Sequence, residues 1–168
     1  AVLSNGSELT ANSASYVAGQ LGLECTPYHT ITLLQNKFRV RELTKNIDGL
    51  QTVRSYKYNQ ELPEPKFLPC VVKPVEGSGK SGVSFANSIQ EFHDAIAYSM
   101  ADSGSTPLVE AYAEGNEVSV ECISFQGKHY VIQVTDKDSS GAPHFVELGH
   151  HQPSCLSTHI QDKIRIVI

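Results

Sequence analysis

The chain has 168 residues, 40% of them hydrophobic and 18% charged, and a formal charge of −5. This length fits one ordinary domain or two small lobes, and the composition is that of a soluble globular protein. An acidic balance excludes a general nucleic-acid binder, whose affinity rests on clustered Lys and Arg, but leaves nucleotides open, because a few phosphates need only one or two lysines and backbone N–H groups.

Taken in chain order, residues 8–20 predict a helix with Leu9, Tyr16, Val17 and Leu21 roughly on one side, stopped at Leu21-Gly22. "CTPYHT" reads as a loop, and residues 31–45 as a second helix with Ile31, Leu34 and Phe38 at helical spacing. The proline-rich "NQELPEPKFLP" is an extended connector. "CVVKPV" and "VSFANS" then predict two strands around "GSGKSG", a β-hairpin with a long tip. Ser88 opens a helix through a capping box with Glu91, and Ile89, Phe92, Ala95, Ile96 and Met100 mark its buried stripe. After the loop "DSGSTP" comes the short strand of "LVEAYAEG". "EVSVECISF" and "KHYVIQVT" form a second hairpin about Gln126-Gly127. "DKDSSGAP" reads as a loop, and "HFVELGHHQPS" leads into a final helix or strand. Two hairpins, and more strands than a parallel Rossmann unit of this length needs, predict an α+β fold with antiparallel sheets.

The four cysteines, Cys25, Cys70, Cys122 and Cys155, contain no Cys-x-x-Cys pair, so zinc ribbons and redox motifs lack their spacing. Cys70 and Cys122 stand in strand-like apolar runs and are expected to be buried thiols, which favours a reducing, cytoplasmic location. No apolar run is long enough for a bilayer and no signal peptide is visible, so no membrane partner is expected. Ala1 is not an initiator methionine, and "HIQDKIRIVI" stops inside an amphipathic pattern. The expectation is a chain trimmed, processed or cut from a longer one.

"GSGKS" invites a reading as a phosphate-binding P-loop of the form G-x-x-x-x-G-K-[ST], with a strand before and a helix after. Gly79, Lys80 and Ser81 fit its end, but the first glycine should stand where the chain has Pro74. Proline has no N–H to offer a phosphate. The sequel "GVSFANS" is β-rich, so no helix N-terminus follows to receive the phosphate. Two readings stay open. Gly77, Gly79 and Gly82 could let a flexible hairpin fold its amides over a nucleotide, with Lys73 as a fixed charge behind them. The same residues could form only a mobile turn with a solvated Lys80.

Four segments together resemble the ATP-grasp superfamily, in the branch around carbamoyl phosphate synthetase, biotin carboxylase and the L-amino-acid ligases. They are "NKFRVRE", "LPCVVKPVEGSGKSGVSF", "PLVEAYAEGNEVSVECI" and "FVELGHHQPS". The resemblance implies two small α/β lobes with antiparallel sheets and a glycine-rich flap. Residues 1–30 would end a preceding α/β domain, 31–112 would form the small, flap-bearing lobe, and 113–168 would begin the large lobe. It implies an ATP-dependent ligase using ATP and Mg2+, joining a small-molecule carboxylate to an amine or thiol through an acyl phosphate. Lys37 and Lys73 would contact ATP phosphates, and Gly77, Ser78, Gly79, Lys80, Ser81 and Gly82 would be the flap over them. Val109 to Tyr112 would link the lobes, where Glu110 and the backbone of Ala111 and Tyr112 would meet the adenine amino edge. Glu117 would accept from the ribose hydroxyls. Lysines neutralise phosphate charge and carboxylates accept from N–H and O–H groups, so each role suits its residue.

Plainer readings stand beside these. Lys37 on a helix is by default solvated, and Glu117 and Glu121, alternating with Val118 and Val120, could form a solvent face. Lys73 among Val71, Val72 and Val75 needs a partner. The pattern also breaks off. The family's acidic pair with a nearby Asn, which holds magnesium, has no counterpart, since Asp136, Asp138 and Glu147 come too early in the motif order. The expected substrate-binding arginine is absent too. No catalytic residue or metal ligand is therefore assigned. His150 and His151 lie beside the expected site, and the spacing of His144, His150, His151 and Cys155 is loose for zinc. The alternative to a ligase is a non-catalytic nucleotide-binding or interaction module built on the same lobe.

Overall fold

A computed structural model describes residues 1–4 and 7–168. The architecture is α+β with two antiparallel sheets. The first contains β1 (Ser55–Lys57), β2 (Cys70–Pro74), β3 (Ser84–Ala86) and β4 (Pro107–Ala111), in the spatial order β1-β4-β2-β3. The second contains β5 (Val118–Phe125), β6 (Lys128–Ser139) and β7 (Glu147–His151), in the order β5-β6-β7.

The first sheet owes its core to simple alternation. Cys70, Val72 and Pro74 of β2 point to one face and are buried. There α4 (Ile89–Ser103) packs, with Phe92, Ala95 and Ile96 meeting Cys70, Val72, Ala86 and Val109. The period of two sends Val71 and Lys73 to the opposite face. Ser88 caps α4 by accepting from the Glu91 amide at 3.2 Å. The Glu91 carboxylate returns to the amide of Asn87 at 2.7 Å, one residue before the position a capping box requires. In the buried stripe Ser99 replaces the expected Met100, which is only half-buried, and Ile89 is exposed at the first turn.

Two helices replace the one expected over residues 31–45. α2 (Tyr28–Gln35) starts directly after Pro27, inside the segment read as a loop, and α3 (Lys37–Thr44) follows. Asn36 between them is extended, and its side chain accepts from the Arg39 amide at 3.0 Å. Asparagine offers the backbone this local alternative to continuing the helix, and the apolar spacing does not reveal it. α1 (Glu8–Gln20) forms as expected but turns a different face inward. Ser15 and Ala18 are buried while Leu9, Tyr16, Val17 and Leu21 are exposed. The small residues let α2 approach, and Ser15 Oγ donates to the Thr26 carbonyl at 2.6 Å.

The β5–β6 hairpin turns at Gln126 and Gly127, both at positive φ, as a tight hairpin requires. A bulge between Glu121 and Cys122 shifts the register. Beyond it the ribbon is exposed, so Cys122 is an exposed thiol and only Cys70 of the two is buried. β6 also runs through Ser139, because Asp136 to Ser139 pair with β7 where the sequence suggested a loop. α5 (Thr158–Val167) closes the chain. Among the described residues no helix is long and apolar enough to cross a membrane.

Candidate functional site

The polar face of the first sheet and one face of the second enclose a cleft of about 1060 Å³. Eleven of the predicted site residues line it: Lys37, Lys73, Gly77, Ser78, Gly79, Lys80, Ser81, Glu110, Ala111, Tyr112 and Glu117. Gly82 does not. It closes the loop from below at φ +68, and a Cβ there would lie 2.7 Å from Pro74 Cγ. Only glycine fits this closure, because both the backbone conformation and the space are denied to a side chain.

Each element delivers its charge for a local reason. β2 directs Lys73 into the cleft by alternation, and β4 directs Glu110 to the same face opposite Val71. α3 starts with Lys37, whose amide donates to the Val75 carbonyl at 2.9 Å and whose Nζ donates to the Gly77 carbonyl at 2.6 Å. One turn later Arg41 reaches the Glu110 carboxylate, Nε to Oε1 at 2.6 Å. Lys73 Nζ pairs with the other oxygen. Burial works to raise the Glu110 carboxyl, but the Arg41 hydrogen bond and the Lys73 charge outweigh it and hold the group below its ordinary value. Burial pushes the Lys73 ammonium down, and Glu110 only partly restores it. Lys73 thus has the partner that a strand lysine needs.

Sequence reasoning passed over three further residues in this cleft. Lys137 is the first. It lies in the stretch read as a loop, yet β6 places it opposite Glu117, and Nζ donates to Glu117 at 2.8 Å and to Glu147 at 2.6 Å. Both carboxyls are held below their ordinary range, chiefly by the Lys137 hydrogen bond. Arg41 is the second, and its only sequence signal is its spacing of one helical turn from Lys37. Phe145 is the third, at φ +52, a conformation that bulky side chains rarely hold without reason. Its ring stacks on Tyr112 with centroids 6.0 Å apart and planes 20° apart, and Phe85 meets Tyr112 edge-on. The amides of Ala111 and Tyr112 already donate to the Arg54 and Pro69 carbonyls. A ligand contact from these two backbones therefore comes through carbonyl oxygens.

The glycine loop is pinned at several points. Lys80 at φ +62 sends Nζ across the cleft to Glu117 at 3.1 Å. Ser81 Oγ donates to Asp102 on α4 at 2.5 Å. Three positive-φ glycines make the loop possible, and these bonds decide where it lies.

The histidines have local partners. His144 meets the Val83 carbonyl at 2.9 Å, and His151 sits 2.6 Å from Asp138. Among the described residues no three His, Cys, Asp or Glu side chains converge as metal ligands, so the sequence group with Cys155 does not assemble. Glu117 and Glu147, the cleft carboxylates nearest Lys137, are engaged by that lysine. These residues do not fit a magnesium site.

Residues 66–168 match the family model described as the ATP-grasp domain. The chain belongs to the ATP-grasp family. A D-alanine–D-alanine ligase from Flavobacterium johnsoniae is 28% identical over 116 residues, covering 65% of this chain and 35% of that protein. The ATP-grasp enzyme fsqD from Aspergillus fumigatus is 25% identical over 128 residues, covering 71% of this chain and 21% of its own length. The chain thus spans between 21% and 54% of the length of the curated relatives it matches. Among solved structures, an L-amino acid ligase from Bacillus licheniformis superposes with a TM-score of 0.79 at 24% identity, over 95% of this chain and 38% of that one. The biotin carboxylase domain of Hydrogenobacter thermophilus 2-oxoglutarate carboxylase, solved with MgADP, ADP and bicarbonate, gives 0.73 at 17% identity, over 93% and 38%. The two antiparallel sheets and their helices are the ATP-grasp fold.

Proposed function

We propose that this chain is the nucleotide-binding portion of an ATP-dependent ligase that joins a carboxylate to an amine or thiol. Residues 31–112 act as the flap-bearing lobe, 113–168 as the start of the large lobe, and 1–30 as the end of a preceding domain. One observation carries the reading. Lys37, Lys73, Lys80 and Lys137 come from separate elements and converge on one cleft beside a stacked aromatic pair and Glu117. Four ammonium groups suit a polyphosphate, a flat aromatic wall suits a purine, and Glu117 suits ribose hydroxyls.

In this reading the glycine loop folds over the phosphates. The ammonium groups spread the charge that builds up as the γ-phosphoryl group moves to a substrate carboxylate. The acyl phosphate then meets the nucleophile: the new bond forms to the carbonyl carbon, and inorganic phosphate leaves. Magnesium, when bound with the nucleotide, would add charge neutralisation at the phosphates. The cytoplasm is the proposed location.

ADP should raise the melting temperature of the full protein, and Lys73→Ala should remove most of that rise. With ATP and a panel of carboxylates, hydroxylamine should trap the acyl phosphate as a hydroxamate. A folded protein that shows no shift at millimolar ADP would sink the nucleotide reading. Nucleotide binding without hydroxamate on any carboxylate would sink the ligase reading alone.

A further inference from the structure

The polar face of the second sheet does not end at Lys137. Alternation places Ser119 and Glu121 of β5, and Glu117 just before it, on one face, opposite Thr135, Gln133 and Lys137 of β6. His150 of β7 faces Lys137 in the next register. One residue pair beyond Lys137, about 7 Å along the strands, lies a second cavity of about 560 Å³. Ser119, Glu121, Thr135, His150 and Gln152 line it.

Its chemistry differs from that of the first cleft. The first cleft gathers cations, and its Glu110, Glu117 and Glu147 carboxylates are each neutralised there by lysine or arginine. Glu121 has no ion-pair partner among the described residues, and two hydroxyls fix it instead. Ser119 Oγ donates to Oε1 at 2.8 Å and Thr135 Oγ1 to Oε2 at 2.7 Å. Thr135 is itself buried and accepts from Gln152 Nε2 at 2.8 Å. The carboxylate is therefore oriented as well as charged, with lone pairs remaining on both oxygens. These hydrogen bonds, that of Thr135 first, hold it ionised below its ordinary range. His150 Nε2 lies 3.8 Å from Glu147 and joins this cavity to the Lys137 cluster.

We propose that this second cavity receives the primary ammonium group of the amine co-substrate, with Glu121 as its counter-ion. The proposal rests on the ligase reading and adds the substrate class and its place. An ammonium brings three donors to a site whose carboxylate and hydroxyl oxygens accept. A carboxylate in the same place would meet the charge of Glu121. The amine would then wait beside the lysine that marks the phosphate end of the first cleft.

Saturation-transfer NMR on the full protein with ADP tests this, using L-alanine amide as probe and L-lactamide as its neutral counterpart. Alanine amide should bind in the millimolar range and lactamide at least fivefold more weakly. Glu121→Gln should lower alanine amide affinity at least fivefold and leave ADP affinity within twofold. Thr135→Val, which frees the carboxylate to rotate, should weaken the probe by a smaller factor. Equal binding of the two probes, an unchanged Glu121→Gln variant, or competition by acetate would each overturn the subsite. ADP affinity read on the same samples separates the two failures: its loss from the wild-type protein defeats the nucleotide reading, and its retention without amine binding defeats only the subsite.

Discussion

At the residue scale, the decisive feature is that Arg41, Lys73, Lys80 and Lys137 are each paired with a carboxylate inside the cleft. Glu110 serves two cations from two elements, and its side chain is only 7% exposed. Glu110→Ala would leave Lys73 and Arg41 facing each other without an anion and should cost about 3 kcal/mol in urea unfolding. Lys73 is also the residue whose loss should harm nucleotide binding most. It is held in a sheet, whereas Lys80 rides on a loop and already spends its charge on Glu117. Lys73→Ala should weaken ADP binding more than Lys80→Ala, and equal or reversed effects in calorimetry would contradict this geometry. Lys137 predicts a pH signature. The depressed Glu117 and Glu147 carboxyls contribute stability that is complete above their ordinary value of 4.5 and lost as pH falls through their lowered values. Lys137 itself is raised: burial opposes the charge, but the hydrogen bonds it donates to Glu117 and Glu147 outweigh it. Its contribution is complete below 10.5 and lost as pH climbs through the raised value. Lys137→Met should therefore cost a constant amount between these limits. That amount is roughly 1 kcal/mol or less, because both carboxylates are more than one-third exposed. Melting curves across pH should show the gap to wild type narrowing at the acid end.

At the element scale, the glycine loop and α4 behave differently under substitution. Gly82→Ala forces a side chain to positive φ and against Pro74, so it should destabilise the fold by about 2 kcal/mol. Gly79→Ala at φ +69 meets no atom within 4 Å and should cost only about 1 kcal/mol. Thermal unfolding of the two variants checks the order. In α4, Phe92 is fully buried against the first sheet, and Phe92→Ala should cost about 3–5 kcal/mol. The motif "CVVKPV" already contained the logic of this element. Alternation alone sends Cys70 and Val72 inward and Lys73 outward, and the structure does the same. Burial also pushes the Cys70 thiol up to about 11, so it should resist alkylation by iodoacetamide at neutral pH while exposed Cys122 reacts.

At the scale of the whole molecule, the two sheets face each other across the cleft, which the Lys80–Glu117 ion pair spans from the glycine loop. At its edge the Phe85 amide donates to the Pro143 carbonyl at 2.7 Å and the Phe85 ring meets Phe145 edge-on. A ligand bridging both walls should stabilise the whole arrangement by mass action. ADP at about a hundred times its dissociation constant should add about 2.7 kcal/mol to unfolding in the full protein. High salt should weaken that gain, because the contacts are ionic.

Local chemistry determined much of this protein from sequence alone. Hydrophobic alternation marked β2 and the β5–β6 hairpin, a serine cap marked α4, and Pro74 ruled out the P-loop. Eleven of the residues that line the cleft follow from the resemblance of four sequence segments to the ATP-grasp superfamily. Tertiary structure alone decided who pairs with whom. Asn36 splits a helix that its apolar spacing would continue. Arg41 and Lys73 find one carboxylate 69 and 37 residues away along the chain. Lys137 enters the cleft only because β7 extends the ladder past the apparent end of β6. Charge pairing and sheet register depend on distant segments, and no window of neighbouring residues carries that information.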